Sequence, residues 1–505
     1  LFLSKGVTAA EEHFRISTEL DPDIPEAWNN LGLCLIEQPG KIAEGLQAIQ
    51  KALDISHDNP NFKAAKFLAL TRLYRLEEAY EYIQEVTSGF FWRQQEMSSL
   101  CSILNYLPEK SREEIFNSHV RYGKSLFSFG MSTWENEPNP DKKLHIGFVS
   151  AYFRRHSVAY FLLPLLQLLD KRQFSVYLYF CGEREDSTSD EFKLCSSKWV
   201  NISQTPDEEA AQQIKKDSID ILFDLTGHFA NNRLSLFGEL PAPIQATFLG
   251  YPNTTGLSSI KYRFVDEITD PPGSEKFATE QLVRFSPCAW CYDPLVDAPE
   301  PQMPQLNTPL TFGSFNNFLK VNRKVLNVWK QILENFPESR LLLKSINFSD
   351  PTVREEVTKK IKNSGIELSR VELREFVDNL PDHLRMYSEV DVALDTFPYN
   401  GTTTTCEALW MGVPVVTLVG DRHSSRVGLS LLSAVGHPEW AAQNEDEYIQ
   451  KAVELAKNRN LRIHLRSNLR KKIAESRLCN KQAYASDFCN AVRKLWVQWC
   501  TEQTT

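Results

Sequence analysis

Short apolar runs rich in β-branched and aromatic residues recur along most of this chain, and each is followed by a longer stretch with helical periodicity. Strands that alternate with helices in this way are typical of a parallel sheet with crossover helices. The first series of runs is Leu144–Ser150, Ser175–Phe180, Ile219–Leu225, Gln245–Gly250 and Tyr262–Asp266. After a proline-rich stretch, the second series is Thr311–Phe315, Arg340–Ser345, Val371–Phe376, Asp391–Asp395 and Pro414–Val419. The pattern predicts two Rossmann-like domains that face each other across a cleft at the carboxyl ends of their strands.

The N-terminal part of the chain has a different period. Small residues recur every 34 or 35 positions at Ala10, Gly45 and Ala79, and Trp28 precedes Phe62 by 34. Small residues let paired helices pack closely, and a helix pair of this length resembles the tetratricopeptide repeat. An unrelated helical bundle is the alternative. Because the chain begins at Leu1 and not at methionine, we expect further repeats before it.

Together these patterns predict α-helical tetratricopeptide repeats followed by an α/β fold of two Rossmann-like domains. The predicted parts are repeats over 1–90, a helical linker region over 91–140, an N-terminal Rossmann-like domain over 141–300, and a C-terminal Rossmann-like domain with C-terminal helices over 301–505.

The charge, the apolar runs and the cysteine content argue against nucleic-acid-binding, membrane-spanning and zinc-binding proteins. The net charge of −9 and the pI near 5.7 argue against a nucleic-acid-binding surface, which is basic. The best candidate for a membrane span, Tyr160–Leu169, contains Pro164 and is too short. The ten cysteines include one Cys-x-x-Cys, at Cys288 and Cys291, but no second pair that would complete a zinc site. We therefore expect a cytoplasmic protein that binds neither nucleic acid nor membrane.

Two loops of the second domain contain residues that could bind phosphate groups. A buried strand ends at Asp395, and the following turn leads to four consecutive threonines, Thr402–Thr405, at the start of a helix. Hydroxyls and free backbone N–H groups at a helix N-terminus bind anions, and Glu407 could reach a ribose hydroxyl. An ordinary threonine N-cap is the alternative. In the other loop, Asn317 and Lys320 follow Thr311–Phe315, and the lysine could neutralise a diphosphate.

In the first domain, His156 and His228 each follow a predicted strand. Both are therefore expected at the cleft, where an imidazole can act as a base or hold a sugar hydroxyl. A structural role is the alternative for either histidine. The sequence has no Gly-x-Gly-x-x-Gly after the first strand of either domain and no phosphate-loop lysine motif. Its Asp-x-Asp, Asp21–Asp23, lies in a repeat turn, so no metal and no resident cofactor is expected.

Several motifs, in this order, resemble the tetratricopeptide-containing O-linked N-acetylglucosamine transferases. They are Ile146-Gly-Phe-Val-Ser, His156-Ser, Asp224-Leu-Thr-Gly-His, Leu249-Gly-Tyr-Pro, Gly313-Ser-Phe-Asn-Asn and Leu394-Asp-Thr-Phe-Pro-Tyr-Asn-Gly-Thr-Thr-Thr-Thr-Cys-Glu. The resemblance covers essentially the whole chain and implies a GT-B fold. It also implies an inverting, metal-independent transfer from a nucleotide sugar to Ser or Thr of proteins, by an enzyme of bacterial type.

The same resemblance implies roles for individual residues. Lys320 would stabilise the departing diphosphate, and His156 would lie near the sugar and acceptor; these are the predicted catalytic residues. His228 is kept as a candidate on the sugar and acceptor side. The predicted donor-binding residues are Asn317, His383, Thr402, Thr403, Thr404, Glu407, Leu249, Gly250 and Pro252.

Within that set, the family places the threonines at the phosphates, Glu407 at the ribose and His383 against the base, with Leu249–Pro252 bordering the sugar. Three positions depart from the family pattern. Asn317 replaces a glutamine, Glu407 replaces an aspartate, and Thr402 stands where the animal enzymes carry a histidine.

The identity of the donor stays open at this point. Leu225-Thr-Gly-His, Gly250-Tyr-Pro-Asn-Thr-Thr-Gly-Leu and the four threonines look closer to the plant SPINDLY-type branch, whose members transfer fucose from a GDP donor. Bacterial relatives with the same motifs are assigned to N-acetylglucosamine transfer, so UDP-N-acetylglucosamine is the favoured donor and GDP-fucose the alternative. A third reading is a non-catalytic module that binds nucleotide. In each case the repeats are expected to bind protein or peptide partners.

Overall fold

The computed structural model describes residues 7–87, 94–126, 134–294, 298–303 and 309–504. Helices fill the first two of these ranges, and two parallel sheets with crossover helices follow. This order confirms the predicted fold class. The predicted boundary at residue 90 lies outside the described residues.

Residues 7–87 form paired helices that follow the 34-residue period. The helices are α1 (Val7–Leu20), α2 (Pro25–Ile36), α3 (Ile42–Ile55), α4 (Pro60–Arg72) and α5 (Leu76–Val86). Pro25 and Pro60 begin α2 and α4, where the missing N–H of proline removes no helical hydrogen bond. A Cβ on Gly32 would lie 2.8 Å from the Gly45 carbonyl oxygen, so glycine lets α2 and α3 touch. These pairs confirm the predicted tetratricopeptide-like repeats.

Two further helices, α6 (Gln94–Leu104) and α7 (Arg112–Ser125), join the repeats to the first sheet. One apolar cluster runs through both parts: it contains Leu70, Leu76, Ala79, Ile83, Ile103, Leu104, Leu107 and Ile115. On its other side α7 touches the loop after the fifth strand, because a Cβ on Gly123 would lie 2.6 Å from the carbonyl carbon of Gly256. The linker helices are therefore packed parts of the fold.

The first sheet, as far as the described residues show it, has seven parallel strands in the order β3-β2-β1-β4-β5-β6-β7. The strands are β1 (Leu144–Ser150), β2 (Phe174–Phe180), β3 (Lys198–Asn201), β4 (Ile221–Asp224), β5 (Ile244–Thr247), β6 (Tyr262–Asp266) and β7 (Gln281–Phe285). The helices between them are α8 (Ala159–Leu168), α9 (Ser187–Cys195), α10 (Asp207–Lys216) and α11 (Leu234–Gly238).

The second sheet has six parallel strands among the described residues, in the order β10-β9-β8-β11-β12-β13. The strands are β8 (Thr311–Ser314), β9 (Arg340–Lys344), β10 (Val371–Arg374), β11 (Val392–Leu394), β12 (Val415–Leu418) and β13 (Ala441–Ala442). The helices are α12 (Arg323–Glu334), α13 (Pro351–Asn363), α14 (Leu380–Arg385), α15 (Thr403–Trp410), α16 (Val427–Ala434), α17 (Glu445–Lys457) and α18 (Arg459–Ala474).

The last helix, α19 (Lys481–Thr504), returns to the first domain. The ring of Phe488 packs against those of Phe223, Phe248 and Phe264, with centroids 5.5–6.0 Å away. Trp496 donates its indole N–H to a carbonyl oxygen near the start of that domain, that of Asn139. The prediction that assigned all residues of 301–505 to the C-terminal domain is therefore wrong for this helix, because its apolar face covers the first sheet.

The repeats lie against the second domain. Asp350, which caps α13, accepts a hydrogen bond from the backbone N–H of Gly40 at 2.8 Å, and Tyr74 and Ser345 share a hydrogen bond of 2.7 Å between their hydroxyls. These contacts fix the repeats relative to the cleft. None of the helices in the described ranges has the length and apolarity that a membrane crossing requires.

Candidate active site

The carboxyl ends of the two sheets face each other, and side chains from the loops cross between them. The Arg155 guanidinium, in the loop after β1, donates to the backbone oxygen of Asp378 at 2.6 Å and pairs with its carboxylate. Asp270, in the loop after β6, lies 2.5 Å from Nδ1 of His423, in the loop after β12. The loops that carry the predicted site residues therefore line one interdomain cleft.

Asp395, immediately after β11, organises the threonine loop. Its buried carboxylate accepts hydrogen bonds from the backbone N–H groups of Gly401 at 2.6 Å and Thr396 at 2.9 Å, and from the Thr417 hydroxyl at 2.7 Å. Burial raises the pKa of Asp395 to about 6, and these donors oppose the rise. These hydrogen bonds to the Asp395 carboxylate fix the conformation of the threonine loop.

The threonines that follow lie where the sequence predicts an anion site. A Cβ on Gly401 would lie 2.5 Å from Oγ1 of Thr404 and 2.8 Å from Oδ1 of Asn316, so the turn needs glycine. Thr404 donates to that same Asn316 oxygen at 3.0 Å. Thr402 is the N-cap of α15, but its side chain makes no capping hydrogen bond. The buried Thr403 hydroxyl has no partner among the described residues, which is the state expected of a group that awaits a ligand.

Lys320 lies beside this loop. Its ammonium donates to the backbone oxygen of Asn400 at 2.8 Å and lies 4.1 Å from the centre of the Tyr399 ring. Burial lowers the pKa of Lys320 to about 8, and the nearby Asp395 carboxylate opposes that shift. A desolvated cation next to free hydroxyls suits a diphosphate.

The two asparagines before Lys320 have different environments. Asn317 is exposed, and its Oδ1 caps a short 3₁₀ turn by accepting from the Leu319 N–H at 3.0 Å. Asn316 is buried and contacts the threonine loop through Thr404. The donor-binding role of Asn317 stays a prediction, and Asn316 is a site residue that the sequence reasoning missed. Its position two residues after the end of the buried β8 was the available signal.

His383 and Glu407 come together, with Lys344 as a third member that was not predicted. The Nε2 atom of His383 lies 3.0 Å from Oε2 of Glu407, and its Nδ1 lies 2.9 Å from the ammonium of Lys344. Tyr387 also donates to Glu407, at 3.2 Å. The position of Lys344 in the sequence could have identified it, because it ends the apolar run of β9 at the edge of the sheet that faces the cleft.

His156 lies at the cleft end of the first domain. Its ring stacks on that of Tyr152, with centroids 3.9 Å apart, and Nδ1 accepts a hydrogen bond from the Val158 N–H at 3.3 Å. Burial, together with the positive charge of Arg154, lowers the pKa of His156 to about 3. The imidazole is therefore neutral near pH 7, and Nε2 carries its hydrogen.

The structure does not support His228 as an acceptor-side residue, which corrects the expectation that it faces the cleft. Its Nδ1 lies 2.9 Å from the Ser98 hydroxyl, and its Nε2 lies 2.8 Å from the carbonyl oxygen of Thr255. The ring is buried against those of His119 and Tyr122. With both nitrogens bonded to protein, His228 ties α6 to the first domain, which is the structural alternative.

Leu249, Gly250 and Pro252 follow β5, as predicted. Leu249 has a positive φ of 58°, and a Cβ on Gly250 would lie 3.1 Å from the Thr226 nitrogen, so the turn is tight. Pro252 is buried. Leu249 borders a small pocket whose other lining residues are Thr247, Phe248, Tyr251, Arg263, Phe264, Ala289, Trp290 and His423. Contact of these residues with a sugar stays a prediction.

One group of side chains in the described ranges has the composition of a metal site. The ligand atoms of Cys101, His119 and His228 lie within 4.8 Å of one another. However, Nδ1 of His119 lies 2.7 Å from the Ile115 carbonyl oxygen and Nε2 lies 2.8 Å from the Tyr251 hydroxyl, and both nitrogens of His228 are engaged as well. No ring nitrogen is left for a metal, so these contacts are those of a packed interface.

Comparison with known proteins places this site in a family. The family model described as glycosyl transferase family 41 matches residues 116–290 and 301–488. The probable UDP-N-acetylglucosamine–peptide N-acetylglucosaminyltransferase SPINDLY of Arabidopsis thaliana is 39% identical over 405 residues, which cover 79% of this chain and 44% of that protein. The corresponding probable transferase SEC of the same plant is 27% identical over 375 residues, which cover 72% and 38%.

Among solved structures, a mutant of the O-GlcNAc transferase of Thermobaculum terrenum superimposes with a TM-score of 0.92 at 29% identity, covering 99% of this chain and 96% of that one. The chain spans less than half the length of the plant relatives. The family match extends over both sheets and over the loops that carry Lys320, the threonines and His156. The chain therefore belongs to glycosyl transferase family 41.

Proposed function

We propose that this protein is an inverting, metal-independent O-glycosyltransferase that moves N-acetylglucosamine from UDP-N-acetylglucosamine to Ser or Thr of proteins. The observation that carries the proposal is the desolvated Lys320 ammonium, which bonds to the Asn400 carbonyl oxygen in the loop that leads to the unpartnered Thr403 hydroxyl of α15. The names of the plant relatives, which specify UDP-N-acetylglucosamine and peptides, support the donor and acceptor classes. All ten cysteines lie in described ranges and none forms a disulfide, which supports a cytoplasmic location.

In such a transfer the acceptor hydroxyl oxygen bonds to the anomeric carbon while the bond from that carbon to the phosphate oxygen breaks. Negative charge grows on the departing diphosphate, where Lys320 and Thr403 would stabilise it. The hydroxyl proton must leave as well. Because Nδ1 of His156 already accepts a hydrogen bond, its Nε2–H suits holding a sugar or acceptor oxygen. We assign the proton to the donor's phosphate or to a water.

The second candidate is transfer of fucose from a GDP donor. It is favoured by the higher identity to SPINDLY, 39%, than to SEC, 27%, together with the SPINDLY-like motifs noted in the sequence. The deciding experiment is a screen of UDP and GDP sugars for binding and slow hydrolysis by the purified protein. Turnover with UDP-N-acetylglucosamine is expected. Turnover with GDP-fucose alone would establish the second candidate, and affinity without turnover of any donor would indicate a non-catalytic module.

We predict full transfer activity in excess EDTA. The carboxylate that organises the threonine loop, Asp395, already accepts four hydrogen bonds, so Lys320 and hydroxyls are the groups left for the diphosphate. The measurement is the initial rate with and without EDTA, with a magnesium-dependent glycosyltransferase as the positive control. Activity that disappears in EDTA and returns with manganese or magnesium would contradict the proposed mechanism.

We predict that a chain beginning at Gln94 binds UDP like the full chain but glycosylates long protein acceptors more slowly. The repeats contribute no predicted catalytic group, and a protein held along them would reach the cleft at a raised effective concentration. UDP affinity and transfer to a long protein and to a short peptide are measured in parallel.

The melting temperature is the control for this truncation, because removing the repeats exposes Ile103, Leu104 and Leu107. A folded truncated chain that modifies long and short acceptors at the full-length rate would show that the repeats are not an acceptor platform.

A further inference from the structure

Lys344 is buried next to two predicted donor-binding residues and has no role in the reaction proposed above. It is the last residue of β9, only 5% exposed, and its ammonium reaches the His383–Glu407 pair. We propose that Lys344 is a positioning residue of the donor site, which holds the ring of His383 through Nδ1 and, through it, the orientation of the Glu407 carboxylate. The inference rests on the proposed function, because the group so positioned would receive the donor's nucleoside.

The direction of the hydrogen bonds follows from donor chemistry. A lysine ammonium has donors and no acceptor, so Nδ1 of His383 must accept at its 2.9 Å contact. The hydrogen of the neutral ring is then on Nε2, which donates to Oε2 of Glu407 at 3.0 Å. Tyr387 donates to the same oxygen. Both of these side-chain contacts fall on Oε2, which leaves Oε1 of Glu407 for a ligand hydroxyl.

The surroundings of Lys344 are aromatic. Its ammonium lies 5.8 Å from the centre of the Phe315 ring and 5.3 Å from that of Phe376. The Phe315 ring in turn packs 4.4 Å from that of Tyr387. Ring faces attract the cation but cannot donate a hydrogen bond to Nδ1. Without Lys344, Nδ1 of His383 has no donor among these neighbours, and the Glu407 carboxylate alone holds the ring through Nε2–H.

The hydrogen bond from the Lys344 ammonium to His383 also depends on pH. Burial lowers the pKa of Lys344 to about 8, and the Glu407 carboxylate opposes the shift. The neutral amine that forms at higher pH donates a weaker hydrogen bond to Nδ1, so the hold on His383 weakens as pH rises through 8. The titratable or charged groups that face the cluster from the packed elements are Glu407 on α15, His383 on α14, Tyr387 in the turn after it, Arg374 on the paired strand β10, and Tyr160 on α8.

The test uses nucleosides, which lack the phosphates that Lys320 would bind, so the titration of Lys320 does not enter. Uridine and guanosine binding is measured by ligand-observed NMR from pH 6.5 to 9.5 for the wild type, Lys344→Met and Lys344→Arg. Lys324→Met, which changes an exposed lysine of α12, is the matched control. We expect wild-type affinity to fall above about pH 8 and Lys344→Met to lose about tenfold at pH 7, the usual effect of removing one charged hydrogen bond.

Lys344→Arg is expected to keep most of the neutral-pH affinity and to lose the alkaline decline, because a guanidinium stays protonated. A purely structural role for Lys344 would give the same pH profile in the wild type and Lys344→Arg. That result, or affinity in Lys344→Met equal to the control, would overturn the proposal.

A second measurement needs no ligand. The ¹⁵N spectrum of histidine-labelled, nucleotide-free protein, assigned with His383→Gln, is expected to show hydrogen on Nε2 in the wild type and a shifted Nδ1 resonance in Lys344→Met, because Nδ1 loses its hydrogen bond. Hydrogen on Nδ1 in the wild type at pH 7, or an unchanged spectrum in Lys344→Met, would overturn the proposal. If neither nucleoside binds the wild type at any pH, the proposed donor chemistry is wrong, whereas this spectrum still decides whether Lys344 fixes His383.

Discussion

Replacement of Lys320 by alanine is expected to lower the turnover number by about 10²–10³, which is the usual effect of removing one preorganised electrostatic stabiliser. The diphosphate gains negative charge as the sugar leaves, and Lys320 is a buried cation that bonds to Asn400, in the loop that leads to the Thr403 hydroxyl. Because this charge grows in the transition state, the turnover number should fall more than the affinity for UDP. The measurement is steady-state transfer to a peptide, with UDP binding by calorimetry.

Two controls keep the Lys320 result interpretable. Lys324→Ala changes an exposed lysine on α12 and should leave the rate unchanged. The melting temperature of Lys320→Ala should equal or exceed that of the wild type, because burial holds the pKa of Lys320 below its ordinary value and the charged form gains nothing from folding. A normally folded variant with a rate within about threefold of the wild type would refute the assigned role, since the expected factor is far larger.

Replacement of Gly123 by alanine is expected to destabilise the protein by about 3 kcal/mol or more, at the upper end of overpacking effects. Gly123 is on α7, and a Cβ there would lie 2.6 Å from the carbonyl carbon of Gly256 and closer still to its oxygen. Both atoms are backbone, and Gly256 has a φ of +78°, so neither a rotamer change nor a small shift removes the clash. Thermal melting and urea unfolding of the whole chain measure the loss.

The matched control for Gly123 is Gly238, the last residue of α11, where a Cβ would meet no atom within 4 Å. Alanine favours helices over glycine by about 1 kcal/mol, so Gly238→Ala should be neutral or slightly stabilising. The same propensity would stabilise Gly123→Ala if α7 were free of the sheet domain. Similar melting temperatures for the two variants would therefore show that α7 does not pack closely against the loop that contains Gly256.

Sequence reasoning located the repeats and most of the strands because their signals are local. The strands β1 and β6 have the predicted bounds, since a buried parallel strand is a continuous apolar run between polar turns. Two of the strands that the predicted series omit lack that signal: β3 is a partly exposed edge strand with a lysine and an asparagine at its ends, and β13 is two alanines long. These strands exist because a neighbouring strand pairs with them.

The sequence by itself also determined that Lys320 and the threonines follow strand ends, because strand polarity decides which loops reach the cleft. Only the tertiary structure decided which side chains those loops engage. His228 follows a strand as His156 does, yet its nitrogens bond to Ser98 and Thr255. Lys344, which no motif marks, reaches His383 from 39 positions away in the chain. The physical reason is that a hydrogen-bonding partner is set by packing between distant segments, whereas an element and its direction are set by neighbours in sequence.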